Sequence, residues 1–500
     1  MATLTVGAAP GDYATLGAAV AAAQNGDTVA LPAGVYTDQA ASVSTDITIQ
    51  GVGGTAYLTA SQPMANAQGF LVVQAPGTVT VNNVSFSGAV TSNANGANAA
   101  GIRYYSGNLV LNHDSFWGNQ DGILATPYPT TGVGSLTINN STVTNNGVTN
   151  PALSAGYGYT HNLYIGNIAD FTLTGSTVTA ANVGHEVKSR ALNTTITNNL
   201  IADGPTGTAS YSIDTPNGGV TTITGNTIQQ GPQSQNNAII SNGEEGASNP
   251  GALTVSGNTI INNEPNGAGV AVVNASSTPA SVSGNLVSGL TSGQIDRSAA
   301  GDTVSANTLT STAPVIGMRV GVDGTVLTSG SAIANTLSAA TAGPGFSALS
   351  AIGTPGLSLA ITATGAAGHV AQFVLSQAGM TGAQAVASFF DTNTGLAGAV
   401  VTWSVYADGG NTPFATTTLL GSQSFVDPGG GLLVSASQGF AVPFNADTYA
   451  LTEVVTIAGG APVPEPMAFV LLAAAVAGVA MARRRRRARH TQPRGVALPS

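Results

Sequence analysis

The chain has 500 residues, no cysteine and only 7% charged residues, with 65 glycines. The lack of cysteine excludes disulfides and thiolate metal sites. The formal net charge is −10, but residues 1–460 hold twenty-one acids against five bases, a balance of −16 that excludes nucleic acid as a partner. Such a surface also repels polyanionic sugars except where a local cation or a bound Ca²⁺ intervenes. Polarity carried by hydroxyls and amides suits an exported, β-rich protein. The stretch Met1–Val6 has neither a basic nor an apolar leader region, so export requires a start upstream of Met1 or a chain cut at its mature end.

Residues 12–24 carry apolar side chains at helical spacing (Leu16, Val20, Ala23) behind an acidic cap candidate, Asp12. Residues 26–36 then read as a first strand and turn. A helix at this point would cover the open end of a solenoid and shield its edge from polymerisation.

A repeat of irregular period follows, each unit being a short alternating strand closed by a polar turn. The best copies are Leu136–Val143, Leu173–Val178, Ile196–Ile201, Ile223–Ile228, Val255–Ile260, Val282–Val287 and Val304–Leu309, with looser ones around Val81 and Leu111. From Leu173 the spacings are 23, 27, 32, 27 and 22 residues. Each spacing is one turn of a parallel β-solenoid of roughly ten turns, with loops inserted in some turns. The apolar residues that open and close each unit face inward, with a kink at the Gly-Asn pair between them, where asparagine would take the left-handed conformation. Asn199, Asn226, Asn258, Asn285 and Asn307 occupy one slot in successive turns, so their amides can bond along the axis as a scaffold ladder. The string from Asp12 to Gly51 is similar to the opening of right-handed parallel β-helix proteins of the pectate-lyase-like class. That resemblance implies the fold of residues 1–312 and leaves the chemistry open.

In a chain this poor in charge, the placement of ionisable residues is informative. Lys188, the only lysine, lies in the run from Gly184 to Arg190 beside His185, Glu186 and Arg190. One turn earlier come Tyr157, Tyr159, His161, Asn162 and Tyr164; one turn later come Tyr211, Asp214 and Asn217, and then Glu244 and Glu245. With Ile165, Val187, Ile213 and Ile240 facing inward, Tyr164, Lys188, Asp214 and Ser241 face outward in register. The result is a surface strip of cations, carboxylates, imidazoles and phenols.

One reading is an exposed ion-pair ladder, Lys188 with Asp214 or Glu186, worth ~0–1 kcal/mol. The other is a polysaccharide site. Lyases and uronan epimerases need a base for the C5 proton, a cation or Ca²⁺ beside the carboxylate, and an acid for the leaving oxygen. Lys188 or His185 would be the base, Arg190 the neutraliser, and Tyr211 or His161 the acid. Without turnover, His161, Asn162, Tyr164, Asp214, Asn217, Glu244 and Glu245 would bind the glycan. Asp214 with Glu244 or Glu245 could form a hydrolytic pair, but no paired-aspartate motif is present. The runs Gly184–Arg190 and Ser212–Gly219 are similar to segments of uncharacterised bacterial β-helix proteins, a resemblance that implies no reaction.

From about Ala313 the repeat stops. Residues 313–460 hold alternating runs (357–364, 399–406, 449–457) between Gly, Pro and Asn turns, the pattern of a small β-sandwich. His369 and Glu453 stand alone there and suggest no chemistry. Residues 459–464 read as a linker to the last segment, 461–500. Val463-Pro464-Glu465-Pro466 precedes sixteen apolar residues, 467–482, and then Arg483, Arg484, Arg485, Arg486 and Arg487. Proline breaks upstream structure, the apolar run inserts as a transmembrane helix, and the arginines stay cytoplasmic. At 1.5 Å per residue the run spans ~24 Å, so snorkelling arginines or local thinning must complete the crossing.

These three parts resemble the PEP-CTERM sorting signal of Gram-negative bacteria that make exopolysaccharide. The resemblance implies an exosortase-type membrane protease as partner and a destination at the cell surface or in the extracellular matrix. Replacing Arg483–Arg487 by serine is expected to disturb anchoring or processing, seen as a changed membrane fraction and product size. An export-competent chain that stays soluble in the cytosol would contradict the anchor.

Overall fold

A computed structural model describes residues 1–147, 160–204, 207–264, 268–298, 301–310 and most of 315–458. Residues 461–500 lie outside the described residues, and so do the expected transmembrane helix and sorting signal. Among the described residues no helix is long and apolar enough to cross a membrane. Met1–Ala461 forms one compact unit.

Residues 3–310 wind into a parallel β-helix with three ladders of stacked strands. Two ladders run together in a 21-stranded sheet, and the third is a ten-stranded sheet from Ala41–Val43 to Asp296–Ser298. Inward residues stack in single files. One file runs from Val81 through Leu111, Ile138, Leu173, Ile196 and Ile223 to Val255 and Val282. A second begins with the stacked rings of Phe86 and Phe116, 4.9 Å apart, and continues through Val143, Val178 and Ile201. All of these side chains are buried, each contributing about 1.5–3 kcal/mol. The last turn is the exception: Val304 and Leu309, expected inward, are 44% and 41% exposed.

The asparagine ladder forms as expected, and it begins before the asparagines. The backbone N–H groups of Val84, Asp114, Ser141 and Ser176 donate in turn to the side chains of Asp114, Ser141, Ser176 and Asn199. Above this, Asn199, Asn226, Asn258 and Asn285 each donate both backbone N–H and Nδ2 to Oδ1 of the asparagine one turn on, at 2.8–3.0 Å. Each Nδ2 also donates to a carbonyl of the turn before, as Asn226 does to Ile196 at 2.9 Å. One detail is corrected. The left-handed residue is the one preceding each ladder asparagine (Asn198, Gly225, Gly257, Gly284, Ala306), so the asparagine contributes its amide and not its backbone freedom.

At the start, strand Thr3–Thr5 precedes and pairs with Thr28–Thr37, which is therefore the second strand. The expected helix is present but shorter, Leu16–Ala22. Its cap is Thr15, whose side chain accepts from Ala18 N, while the carboxylate of Asp12 accepts from Ala9 N. Leu16, Val20 and Ala23 are buried in the solenoid core.

Beyond the helix, six strands (order Thr325–Ile333, Val315–Val322, Val370–Met380, Tyr449–Ala458, Val400–Asp408, Thr418–Val426) form an antiparallel sheet. A five-stranded sheet faces it and contains one parallel pair, Ser358–Thr364 with Gln384–Thr394. Phe373, Trp403 and Leu451 of the first pack with Leu359, Ile361 and Phe440 of the second, so the two sheets share a core. The five-stranded layer reaches the solenoid, with Ser437 Oγ 3.0 Å from Thr177 Oγ1 and Gly439 N donating to Asn140 Oδ1. Glu453 is not isolated: Trp403 Nε1 donates to its Oε1 at 2.6 Å, and burial pushes its carboxyl well above the usual range. His369 likewise pairs with Asp323, Nδ1 to Oδ2 at 2.6 Å.

Replacing Asn226 by Ala orphans two buried donors on Asn199 and takes a donor away from Asn258 Oδ1 and Ile196 O, and is expected to cost at least about 2 kcal/mol. Denaturant unfolding would measure it. The same change at the half-buried Asn307 of the last turn is expected to cost under about 1 kcal/mol.

Candidate functional site

The outer face of the ten-stranded sheet carries the rare ionisable side chains. Strands Leu163–Ile165, His185–Ser189, Tyr211–Thr215 and Ala238–Asn242 pair so that Tyr164, Lys188, Asp214 and Ser241 fall in one row, as the alternation predicts. The inward register differs by two residues: Leu163, not Ile165, aligns with Val187, and Ile165 aligns with Ser189. A second outward row sets His185 beside Tyr211, with the His161 ring 4.9 Å from His185 and the Tyr211 ring stacked on it at 5.4 Å. Tyr157 and Tyr159 lie outside the described residues.

The expectation of an exposed strip is corrected. Lys188, His185, His161 and Asp214 retain at most 8% of their surface. They are covered by one another and by the loop after Asn242. Lys188 Nζ is 3.2 Å from Asp214 Oδ2 and 2.8 Å from Glu245 Oε1, while Arg190 NH2 meets Glu245 Oε2 at 2.6 Å. Arg190 also donates from Nε to the Tyr164 hydroxyl at 3.0 Å and from NH1 to Asn217 Oδ1. Tyr211 donates to Glu244 Oε2 at 2.6 Å. Thus His161, Tyr164, His185, Lys188, Arg190, Tyr211, Asp214, Asn217, Glu244 and Glu245 come together.

Two expected members turn inward. Asn162 is fully buried and belongs to an interior ladder in which Asn119 donates to Asn146 and Asn146 to Asn162, at 3.0 and 2.9 Å; Asn162 then donates to Glu186. Glu186 therefore pairs with interior amides and not with Lys188. It also meets Asp203, which no pattern in the sequence marks out. Burial raises both carboxyls, and each bears on the other, so the pair holds a proton. The rarity of charge could have flagged Arg103, which stands in the Lys188 row two rungs before Tyr164 and beside the buried Asp121. Among the described residues no group of three or more His, Asp and Glu side chains is arranged to hold a metal.

The electrostatics follow from burial. Desolvation, reinforced by Lys188 and Arg190, lowers His161 to about 3 and takes His185 well below its usual range, so both rings are neutral. His161 Nδ1 accepts the backbone N–H of His185 at 3.0 Å and therefore carries no proton. The His185 Nδ1, 3.0 Å from the same atom, must then be the N–H donor. That leaves His185 Nε2 bare and 3.4 Å from Asp214 Oδ2. Burial pushes Asp214 up to about 6 against the pull of Lys188. Burial, then the bond to Glu244, raises the Tyr211 phenol. Burial would raise Glu245 as well, but the bonds from Lys188 and Arg190 prevail and hold it low.

No family model matches the chain, and no curated protein matches it. Among solved structures it is similar to an Acinetobacter phage tailspike protein (14% identity, 92% of this chain and 88% of that one, TM-score 0.41). It is also similar to the A-module of an Azotobacter vinelandii mannuronan C-5 epimerase (11%, 57% and 89%, 0.29). A third is the tailspike of Acinetobacter baumannii bacteriophage Fri1, a capsular polysaccharide depolymerase (10%, 87% and 80%, 0.30). The fold stands on the strand registers above.

His161 supplies a pH signature. Its ring stays neutral down to about 3 in the folded chain, whereas the unfolded one takes up a proton near 6.5. Its contribution is present above pH 6.5 and is lost as the pH falls towards 3. Relative to His161→Gln, the wild type should lose up to about 1.4 kcal/mol per pH unit below that point, read from denaturant midpoints. A difference that stays flat with pH would mean a solvated ring.

Proposed function

We propose that this chain is an exported, right-handed parallel β-helix protein of the cell envelope or extracellular matrix that binds or organises exopolysaccharide on its ten-stranded face. The observation that carries this reading is the concentration of Lys188, Arg190, two histidines and two tyrosines on one face of a chain with 7% charged residues. Stacked imidazole and phenol rings suit sugar C–H faces, and the cations and amides suit their oxygens. Export rests on the sorting-signal resemblance, with an exosortase-type protease as partner and the membrane helix as a transient anchor.

Binding is preferred to turnover because the groups a reaction would use are committed to one another. Lys188 is held by two carboxylates, and the Tyr211 hydroxyl donates to Glu244. One observation favours a second reading, a lyase or epimerase acting on an acidic glycan: the unprotonated Nε2 of His185 stands 3.4 Å from Asp214, whose carboxyl burial raises to about 6.

Retention on a panel of immobilised acidic and neutral polysaccharides tests the proposal. Lys188→Ala and His185→Ala are each expected to weaken retention at least about tenfold, the loss of ~1.4 kcal/mol or more. Retention of no polymer would overturn it. Unsaturated sugar product, or C5 proton exchange in heavy water, abolished by the same substitutions, would establish the enzyme instead.

A further inference from the structure

Glu245 is unlike its partners. Its side chain is 48% exposed, whereas those of Lys188 and Arg190, the cations it bridges, are 10% and 21% exposed. Its two oxygens are divided between them, Oε1 to Lys188 and Oε2 to Arg190, as any carboxylate seated there would divide its own. Neither cation depends on it. Without Glu245, Lys188 keeps the buried Asp214, and Arg190 keeps Tyr164 and Asn217. The backbone is pinned, since Glu245 N donates to Pro216 O at 3.0 Å, so the carboxylate can leave by side-chain rotation alone. Next to it Gly246, at φ 105°, faces open space.

Resting on the polysaccharide reading, we infer that Lys188 and Arg190 form the seat for the carboxylate of a uronic acid residue, and that Glu245 is an internal stand-in which the glycan displaces. The glycan is therefore a carboxylated one, admitted through a chain otherwise hostile to polyanions. The stand-in occupies the seat between the buried Lys188 and the half-buried Arg190 until a sugar carboxylate arrives. Aromatic surface lies to either side, Tyr164 at 5.8 Å from the Arg190 guanidinium and Tyr211 stacked on His185. The exchange trades one carboxylate for another and makes or breaks no covalent bond.

The test measures affinity for oligogalacturonate and oligomannuronate, with methyl-esterified oligogalacturonate as the uncharged control, on the full chain. Removing the competitor in Glu245→Gln and Glu245→Ala should tighten binding of at least one uronate by about fivefold or more and leave the ester unchanged. Adding Lys188→Ala should abolish the gain. Thermal unfolding of each variant checks that the chain is folded. If the wild type binds uronates through Lys188 and both Glu245 variants bind equally or more weakly, Glu245 is a fixed part of the site and the inference is overturned while the polysaccharide reading survives. Binding of neutral sugars alone likewise overturns the inference and spares that reading. If neither wild type nor variants bind any sugar, both fall.

Discussion

Everything in the solenoid depends on hydrogen bonding along one axis. A parallel ladder alone allows neighbouring turns to slip by two residues without turning a side chain to the wrong face. The side-chain ladder removes that freedom. Asn226, Asn258, Asn285 and Asn307 each accept two bonds from the rung below and donate to a carbonyl of that same turn, so a slip would orphan several buried groups together. With register fixed on one corner, loops of any length can be inserted elsewhere without disturbing it. That is how turns of 23 and 32 residues stack in one solenoid.

The same constraint creates the charged face. Tyr164, Lys188 and Asp214 are dozens of residues apart in sequence, yet the fixed rungs set them at the spacing of adjacent strands. Once side by side they cover one another, which is why a strip expected to be solvated is buried. Burial in turn sets the protonation states. Two cations near two histidines make a charged imidazole untenable, and the neutral rings then fix their tautomers through the His185 backbone N–H.

What could be read from the sequence, and what could not, divides along this line. The repeated apolar pair and the Asn199-to-Asn307 slot are periodic, so ladder, interior files and outward row were all legible before the structure. Asn162 was misplaced because it sits at a corner, where the alternation of inward and outward breaks and two successive residues can both turn in. Glu186 turns in for the same reason. Its partner Asp203 follows a different strand, and no spacing rule links them. Asp12 looked like a helix cap by residue type, but the helix begins at Leu16, after Thr15 takes that role. The end of the solenoid was misjudged because Val304 and Leu309 match the repeat while having no further rung to cover them.

Stability does not account for the charged face. Desolvating Lys188 and Asp214 costs several kcal/mol per ion, and apolar residues of similar volume commonly do as well or better. The chain shows that it has this alternative. In the same outward row, Val72, Leu124 and Val273 occupy rungs to either side of the cluster, with Arg103 between the first two and Arg297 beyond the third. A solenoid able to pave this face with valine and leucine instead gathers its only lysine, an arginine and two of its five histidines on neighbouring rungs. Register does not require them either, since the asparagine ladder on another corner already supplies it. A cost that neither stability nor register repays is best explained by what the face meets outside the chain.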